Sequence, residues 1–450
     1  MKKTAGLIAK TALLFSMLFV LSSCSQYSAD NLYAPPKGSD EYGRLQEQID
    51  VFLNSGASYS PPVSGSNRQA VQLEDLDGDG NDEALVFLNI PSDSKPLKIY
   101  IYKEVRDGFT EVARLEGEGT NLESIRYVDL NGDGYKEIVV GRQISTGIEM
   151  LTVYSTRGLE ITSLMSTDYE ECTTCDFDGD GNHDLFVIRT SVSDQSREAA
   201  VFKFNERGQS RSAAAKLSRS VQTVSRLRTT KLSDGKNAII AEGRHTGGEY
   251  FTDIFYMDDD GALEGLSSEN YKRLLRTVEI YAKDVNRDGA FEVPMLVPLA
   301  AQKPEDSDDM PLPNEQYIVK WQSFSSDGTM KLVKSTYNSD EGWYLEVPET
   351  WEGAVSVRNA EYALGERAVV FSVVGTDGQY RDFLIIYTLT AEDRAQRSCV
   401  DGRFVLSNDG EKIFAAKIQD YPTAERFGAA SDSVKRNFGI IYSEWNTGEV

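Results

Sequence analysis

The sequence has 450 residues, of which 40% are hydrophobic and 10% aromatic, so the chain can bury a substantial core. Its 71 Asp and Glu residues outnumber its 47 Lys and Arg residues, and the formal net charge is −24 at pH 7. Nucleic acids and anionic lipid surfaces attract basic proteins, so this balance argues against both classes of partner.

The N-terminus has the pattern of an export signal. Lys2, Lys3 and Lys10 flank an apolar segment, residues 11–20, that is too short to span a bilayer comfortably. The ending Leu21-Ser22-Ser23-Cys24 resembles the lipobox of bacterial lipoproteins, in which the cysteine is lipidated; the alternative is an ordinary secretory signal. We expect a signal peptide over 1–23, lipidation at Cys24, and the body on the extracytoplasmic side of a bacterial membrane.

Residues 24–38 are small, polar and contain proline, as expected of a tether between a lipid anchor and a folded body. Tyr42, Leu45, Ile49 and Phe52 then recur at helical spacing. This pattern predicts a short amphipathic helix over 39–53 that packs on the main body, with helix and linker together occupying 39–64.

An acidic loop motif follows and occurs four times. It places carboxylate or amide side chains at positions 1, 3, 5 and 9 and glycine at position 6. The four sets are Asp75, Asp77, Asp79 and Glu83; Asp129, Asn131, Asp133 and Glu137; Asp176, Asp178, Asp180 and Asp184; and Asp284, Asn286, Asp288 and Glu292.

Calcium prefers six to eight oxygen ligands, which alternate residues of a tight loop can supply. The loops are not EF-hands, because position 12 is apolar and a short Val- and Ile-rich run, typical of a buried strand, follows each one. Pro294 predicts an edge or a bulge in the fourth run. We predict up to four structural calcium ions; the alternative is a set of Asx-turns without metal.

A turn glycine also recurs, with the same period as the acidic loops. Gly108, Gly158, Gly208, Gly261 and Gly328 each follow Asp or Arg, as in hairpin turns. The loops begin about 50 residues apart, except that one is missing before Asp284. Residues 231–240 look like that missing repeat, with its strands retained and its ligands lost.

Four strands in a period of about 50 residues are typical of a β-propeller. We therefore predict an all-β protein, a propeller over 65–450 with seven blades of four antiparallel strands. The last two blades, about 341–450, contain strand-like segments at 368–374, 383–388, 404–406 and 413–418 and a partly helical stretch at 424–436. A parallel β-helix is the structural alternative.

The loops with their flanking strands resemble the FG-GAP and VCBS repeats of integrin-α-type propellers, and the segment 65–80 behind a lipobox resembles VCBS-repeat lipoproteins. The resemblance implies calcium in the hairpin loop between the first two strands of a blade. It also implies that position 7 contributes its backbone carbonyl, here from Asn81, Tyr135, Asn182 and Ala290. It supplies no activity.

Few residues suit catalysis. The chain has two histidines, His183 and His245, and lacks the common nucleophile and phosphate-binding motifs. Cys172 and Cys175 lie on one predicted strand and point to opposite faces, which argues against a disulfide. Trp343, Tyr344 and Trp351 suit sugar stacking or, more simply, packing between blades. We expect residues 303–313 to be a solvated acidic loop; the alternative is that this loop confers binding specificity.

The sequence therefore predicts a lipid-anchored, calcium-binding propeller that acts as a non-catalytic binding or scaffold module for an unknown protein or glycan. The alternatives are a propeller enzyme acting on extracellular glycan and a subunit of an envelope assembly.

Overall fold

The computed structural model describes residues 40–106, 108–191, 196–218, 221–266, 274–300, 316–375 and 378–441. Over these residues the chain is all-β: a short helix precedes six antiparallel sheets of four or five strands in a propeller-like arrangement. The predicted all-β, propeller-like class is confirmed. The predicted signal peptide, Cys24, the tether and the loop at 303–313 lie outside the described residues.

The first three sheets are meanders in which, apart from β1, each strand pairs with the next along the chain, because short turns join them. In the first sheet, β1 and β2 both pair with β3. The strands of the first sheet are β1 (Ser58–Tyr59), β2 (Val71–Glu74), β3 (Glu83–Asn89), β4 (Leu97–Val105) and β5 (Gly108–Gly117). Those of the second are β6 (Asn121–Val128), β7 (Glu137–Ser145), β8 (Ile148–Ser155) and β9 (Thr162–Asp168). Those of the third are β10 (Glu171–Cys175), β11 (Asp184–Thr190), β12 (Arg197–Phe204) and β13 (Ser210–Lys216).

The fourth sheet repeats this order, and the last two depart from it. The fourth contains β14 (Val221–Lys231), β15 (Asn237–His245), β16 (Tyr250–Met257) and β17 (Leu263–Gly265). The fifth contains β18 (Val293–Pro298), β19 (Tyr317–Phe324), β20 (Met330–Ser339), β21 (Trp343–Glu346) and β27 (Phe438–Ile440). The sixth contains β22 (Val355–Ala363), β23 (Glu366–Val374), β24 (Tyr380–Leu389), β25 (Phe404–Asn408) and β26 (Ile413–Ile418).

The described residues form six sheets where the sequence predicts seven. Of the described residues beyond 341, the strands β22 to β26 make one sheet instead of two, and β21 and β27 join the fifth sheet. Helices take up more of this stretch: α2 (Arg394–Arg397), α3 (Tyr421–Arg426) and α4 (Ser431–Asn437). The final strand, β27, returns to pair with β21 of the fifth sheet. The four predicted strands and the helical stretch in this region are confirmed.

Consecutive sheets pack face to face through shared apolar clusters. The strands β3 and β11 are buried on both faces, which explains their continuous apolar sequences. Each cluster joins one sheet to the next, and Phe186 of the third sheet packs on Phe255 of the fourth with ring centroids 5.7 Å apart. Each such buried aromatic contributes about 1.5–3 kcal/mol through apolar burial.

A helix covers the outer face of the first sheet. The helix α1 (Asp40–Asn54) lies on the outer face of the first sheet, where Leu45 and Ile49 are buried and the ring of Phe52 lies 4.7 Å from that of Tyr100. This confirms the predicted helix and its packing. None of the apolar clusters described contains residues of both the first and the sixth sheets.

The tryptophans belong to the core. Trp343 and Trp351 are almost fully buried between the fifth and sixth sheets, so the packing interpretation holds for both. Cys172 and Cys175 both lie on β10 and form no disulfide. Pro294 stands in β18, at the edge of the fifth sheet, as predicted. In the part of the chain that the structure describes, no helix combines the length and apolarity needed to cross a bilayer.

Candidate metal centres

The four acidic segments fold as tight loops just before a buried strand. Loop 1 (75–83), loop 2 (129–137) and loop 3 (176–184) join the first two strands of a meander, and loop 4 (284–292) precedes β18. The glycine at position 6 has a positive φ in each, for example 87° at Gly80 and 92° at Gly181. A side chain there would be strained, so this glycine permits the turn that brings position 9 back to position 1.

The loop side chains share one hydrogen-bonding pattern. The position 1 carboxylate accepts from two backbone N–H groups, as Asp75 does from Gly78 (2.8 Å) and Gly80 (3.0 Å). The side chain at position 3 accepts from the N–H of position 5, and that at position 5 from the N–H of position 7, in all four loops. At each aspartate in positions 3 and 5, one oxygen therefore orients the side chain and the other is left for a further partner, whereas Asn131 and Asn286 have a single side-chain oxygen.

Position 9 is the buried anchor of each loop. Glu83, Glu137 and Glu292 are fully buried, Asp184 is 1% exposed, and each accepts from the backbone N–H of position 2 at 2.9–3.1 Å. Burial raises the pKa of all four, to about 7 for Glu137 and about 6 for Asp184. A buried carboxylate with one oxygen turned into the loop calls for a cation or a proton.

In loop 1 a lysine ammonium lies among the acidic side chains. Lys103 Nζ contacts Asp77, lies 2.8 Å from Asp79 Oδ2 and lies 3.2 Å from Glu83 Oε1. The hydrogen bond from Lys103 lowers the pKa of Asp79 to about 2. Hydrogen bonds to Asp77 and Asp79 raise the pKa of Lys103 well above its usual range.

Loop 3 repeats this arrangement. Lys203 Nζ contacts Asp178 and lies 3.0 Å from Asp180 Oδ2 and 3.9 Å from Asp184 Oδ1. In both loops three carboxylates bring oxygens within 4.8 Å of one another. Burial lowers the pKa of Lys203, but hydrogen bonds to the two aspartates outweigh it and raise that pKa overall.

Loops 2 and 4 have an asparagine at position 3 and no lysine at the acidic side chains among the described residues. Asn131 donates to Glu137 Oε1 at 2.9 Å, and Asn286 donates to Asp288 Oδ2 at 2.8 Å. In loop 2 the buried Oδ2 of Asp133 has no hydrogen-bond partner, and Arg157 is 3.9 Å away. In loop 4 Glu292 Oε1 is likewise buried without one. These orphaned oxygens stand at ligand positions and fit a calcium ion.

Neighbouring loops lie in contact along one side of the molecule. A Cβ on Gly78 would lie 2.8 Å from the carbonyl oxygen of Gly134, so loops 1 and 2 touch through backbone. Asn237, at the start of β15, donates to the carbonyl of Asp176 at 2.9 Å and joins loop 3 to the fourth sheet. A change in the backbone of one of these loops should therefore shift the element that it contacts.

The fourth sheet has lost its acidic loop, as predicted. The turn between β14 and β15 contains Asp234, whose Oδ2 accepts from Ser325 and Ser326 of the fifth sheet, the latter through both backbone (3.0 Å) and side chain (2.5 Å). This carboxylate joins two sheets and is committed to protein donors.

The sequence interpretation missed Lys103 and Lys203. Both follow an aromatic residue on the strand that pairs with the loop's exit strand, at Tyr102 and Phe202. Strand register places each opposite position 9, but the hairpins between differ in length, so a constant spacing in sequence does not reveal them. For the backbone carbonyls of position 7, the participation in metal binding stays a prediction.

Comparison with known proteins bears on loops 1 and 2. Residues 75–140 match the sequence model of the FG-GAP-like repeat family. Over these residues the chain is similar to an FG-GAP-like repeat. No curated protein matches the chain. Among solved structures, the rhamnogalacturonan lyase YesW is similar at 13% identity and a TM-score of 0.33, over 85% of this chain and 77% of the lyase. A hypothetical protein from Leishmania major is similar at 12% identity and a TM-score of 0.20, over 64% of this chain and 89% of its own.

Other polar groups lie away from the loops. A cavity of about 360 Å³ opens among the first strands of the second, third and fourth sheets and is lined by Arg126, Glu171, Arg226 and Arg228, among others. Burial raises the pKa of Glu171 to about 7, although Arg126 opposes this. Of the two histidines, His183 is exposed at position 8 of loop 3.

Proposed function

We propose that the chain is an extracytoplasmic, calcium-stabilised binding module with no catalytic activity of its own, held at a bacterial membrane by a lipid on Cys24. The observation that carries the calcium role is the common geometry of the four loops, in which a buried position 9 carboxylate accepts from the backbone N–H of position 2 and the side chains at positions 3 and 5 accept from backbone N–H groups of the same loop. Hard oxygen donors in this arrangement suit calcium.

The ion would be held by the side chains at positions 1, 3, 5 and 9 and by the carbonyl of position 7. When bound, it neutralises clustered carboxylates that otherwise repel one another. The chain's own backbone N–H groups already orient one oxygen at positions 3, 5 and 9, so little ordering remains for the ion to impose. A rigid row of loops along one side then supports the surface that binds a partner.

Calcium dependence is tested by melting the purified chain in calcium, in magnesium and in EDTA. We expect a higher melting temperature in calcium than in either of the others, because magnesium demands a tighter octahedral site and gives up its water reluctantly. Identical melting curves in all three solutions would contradict the proposed stabilisation by calcium.

The anchor and the binding role need separate tests. Cys24→Ala should abolish incorporation of a labelled fatty acid in bacteria and release the chain from the membrane fraction, with Cys399→Ala as the control. Calcium-dependent retention on isolated cell envelope or immobilised glycan would support the binding role. A folded chain that is retained on neither, and that cleaves the glycan instead, would favour an enzyme.

A further inference from the structure

The four loops fall into two classes according to one residue on the strand that pairs with the loop's exit strand. The residue opposite position 9 on the neighbouring strand is Lys103 in loop 1 and Lys203 in loop 3. In loops 2 and 4 the same register places Ser155 and Ser323 there.

The residue at position 3 changes together with this partner. Where the neighbouring strand supplies lysine, position 3 is aspartate, at Asp77 and Asp178. Where it supplies serine, position 3 is asparagine, at Asn131 and Asn286. Counting positions 1, 3, 5 and 9 with the facing residue, every loop has a net charge of −3. Each extra carboxylate is thus matched by one ammonium.

The two lysines occupy the space that a metal would need. Lys103 Nζ is within 3.2 Å of carboxylate oxygens at positions 5 and 9 and also contacts position 3. Lys203 contacts the same three positions of loop 3. A calcium ion bound by these oxygens would be placed within a few ångströms of the ammonium, where the two cations repel strongly.

The serines leave their loops open. Ser155 Oγ accepts from the backbone N–H of Arg157, and Ser323 Oγ donates to the carbonyl of Lys331. Two buried oxygens of these loops have no hydrogen-bond partner: Oδ2 of Asp133, whose side chain is 7% exposed, and Oε1 of Glu292, which is fully buried. In loop 1, Oε1 of Glu83 is also buried without a hydrogen bond, but the Lys103 ammonium lies 3.2 Å from it. The nearby Lys334 donates to the backbone carbonyl of Val285 instead.

We propose that loops 1 and 3 carry their cation within the chain, as the ammonium groups of Lys103 and Lys203, and that calcium binds first and more tightly at loops 2 and 4. This rests on the proposed calcium role and makes it specific. Loops 1 and 3 are then stabilised without calcium, whereas the stability of loops 2 and 4 depends on it.

The test is calcium titration of the purified full chain by isothermal calorimetry, with Lys103→Met, Lys203→Met and the double variant. We expect two tight sites in the parent chain, three in each single variant and four in the double variant. Affinity at the released loop should rise about tenfold or more, because one repelling positive charge is removed. Lys320→Met is the control, since Lys320 pairs with Glu352 outside the four loops, and it should leave two sites.

Thermal melting supplies a second measurement. In EDTA the Lys→Met variants should melt below the parent chain, because a loop with four carboxylates then has no cation, and calcium should restore them. Asp129→Asn and Asp284→Asn should each remove one tight site from the parent chain.

The outcomes separate the two proposals. Four equivalent sites in the parent chain, or an unchanged site number in the double variant, would overturn the lysine proposal and leave the calcium role intact. No calcium binding in the parent chain or in any variant would overturn both.

Discussion

Position 9 of loop 2 offers the sharpest test of a structural metal. Glu137 is fully buried, accepts from the backbone N–H of Leu130 at 2.9 Å and accepts from Asn131 at 2.9 Å. In Glu137→Ala the Leu130 N–H is left buried without its partner. Such a group costs about 1–3 kcal/mol of folding free energy, and this loss is expected in EDTA as well as in calcium.

Calcium adds a second loss. Extracellular sites bind with a Kd of about 0.1–1 mM, so 10 mM calcium is about 10 to 100 times the Kd. A site under these conditions stabilises the folded state by about 1.4–2.7 kcal/mol. Glu137→Ala should therefore be about 1.4–2.7 kcal/mol more destabilising in calcium than in EDTA.

Two companion variants isolate the metal contribution. Glu137→Gln keeps an oxygen that can accept from Leu130 but loses the charge, so most of its effect should appear only in calcium. Asp234→Ala removes a carboxylate committed to Ser325 and Ser326, so its effect should be equal in both solutions. The measurement is urea unfolding followed by tryptophan fluorescence, at pH 8. Equal losses for Glu137→Ala in calcium and in EDTA would refute the reasoning.

Three further predictions concern groups outside the metal positions. Burial raises the pKa of Glu171 from about 4.5 to about 7, so the folded state binds this proton more tightly than the unfolded state does. The stability that this proton contributes is complete below pH 4.5 and is lost as the pH rises through 7. Glu171→Gln should therefore flatten that part of a plot of melting temperature against pH. Arg276→Met should cost about 3–5 kcal/mol in urea unfolding, because it leaves the fully buried Glu242 carboxylate without its ion pair, and adding Glu242→Gln should recover part of the loss. Gly78→Ala should lower the melting temperature in EDTA and calcium alike, since φ is 71° there and the new Cβ would meet the carbonyl of Gly134 at 2.8 Å; an unchanged melting temperature would contradict the close contact of loops 1 and 2.

The Lys–Asp pairing has a consequence for how the repeats diverge. An aspartate at position 3 without its lysine gives a loop with one more uncompensated carboxylate, and a lysine beside asparagine gives a loop that calcium cannot enter easily. Each single change is therefore costly, and the paired change is tolerated. The turn at Asp234 represents a third solution, in which a carboxylate is satisfied by serine donors of the next sheet.

Local features of the fold followed from the sequence because short-range chemistry determines them. The loop glycines, the Asx-type side chains and the apolar exit runs fix a tight turn followed by a buried strand, whatever surrounds them. The amphipathic pattern of Leu45 and Ile49 likewise fixes the helix and the face it buries. The period of about 50 residues then predicts repeated sheets.

Only the tertiary structure decided the number of sheets and the partners of the acidic loops. A strand's sequence does not state which sheet it joins, so the return of β27 to the fifth sheet could not be inferred. Lys103 and Glu83 are brought together by strand register across a hairpin, and register depends on packing over the whole sheet. Sequence therefore identified the candidate ligand residues, and the pairing of strands determined which loops already hold a positive charge.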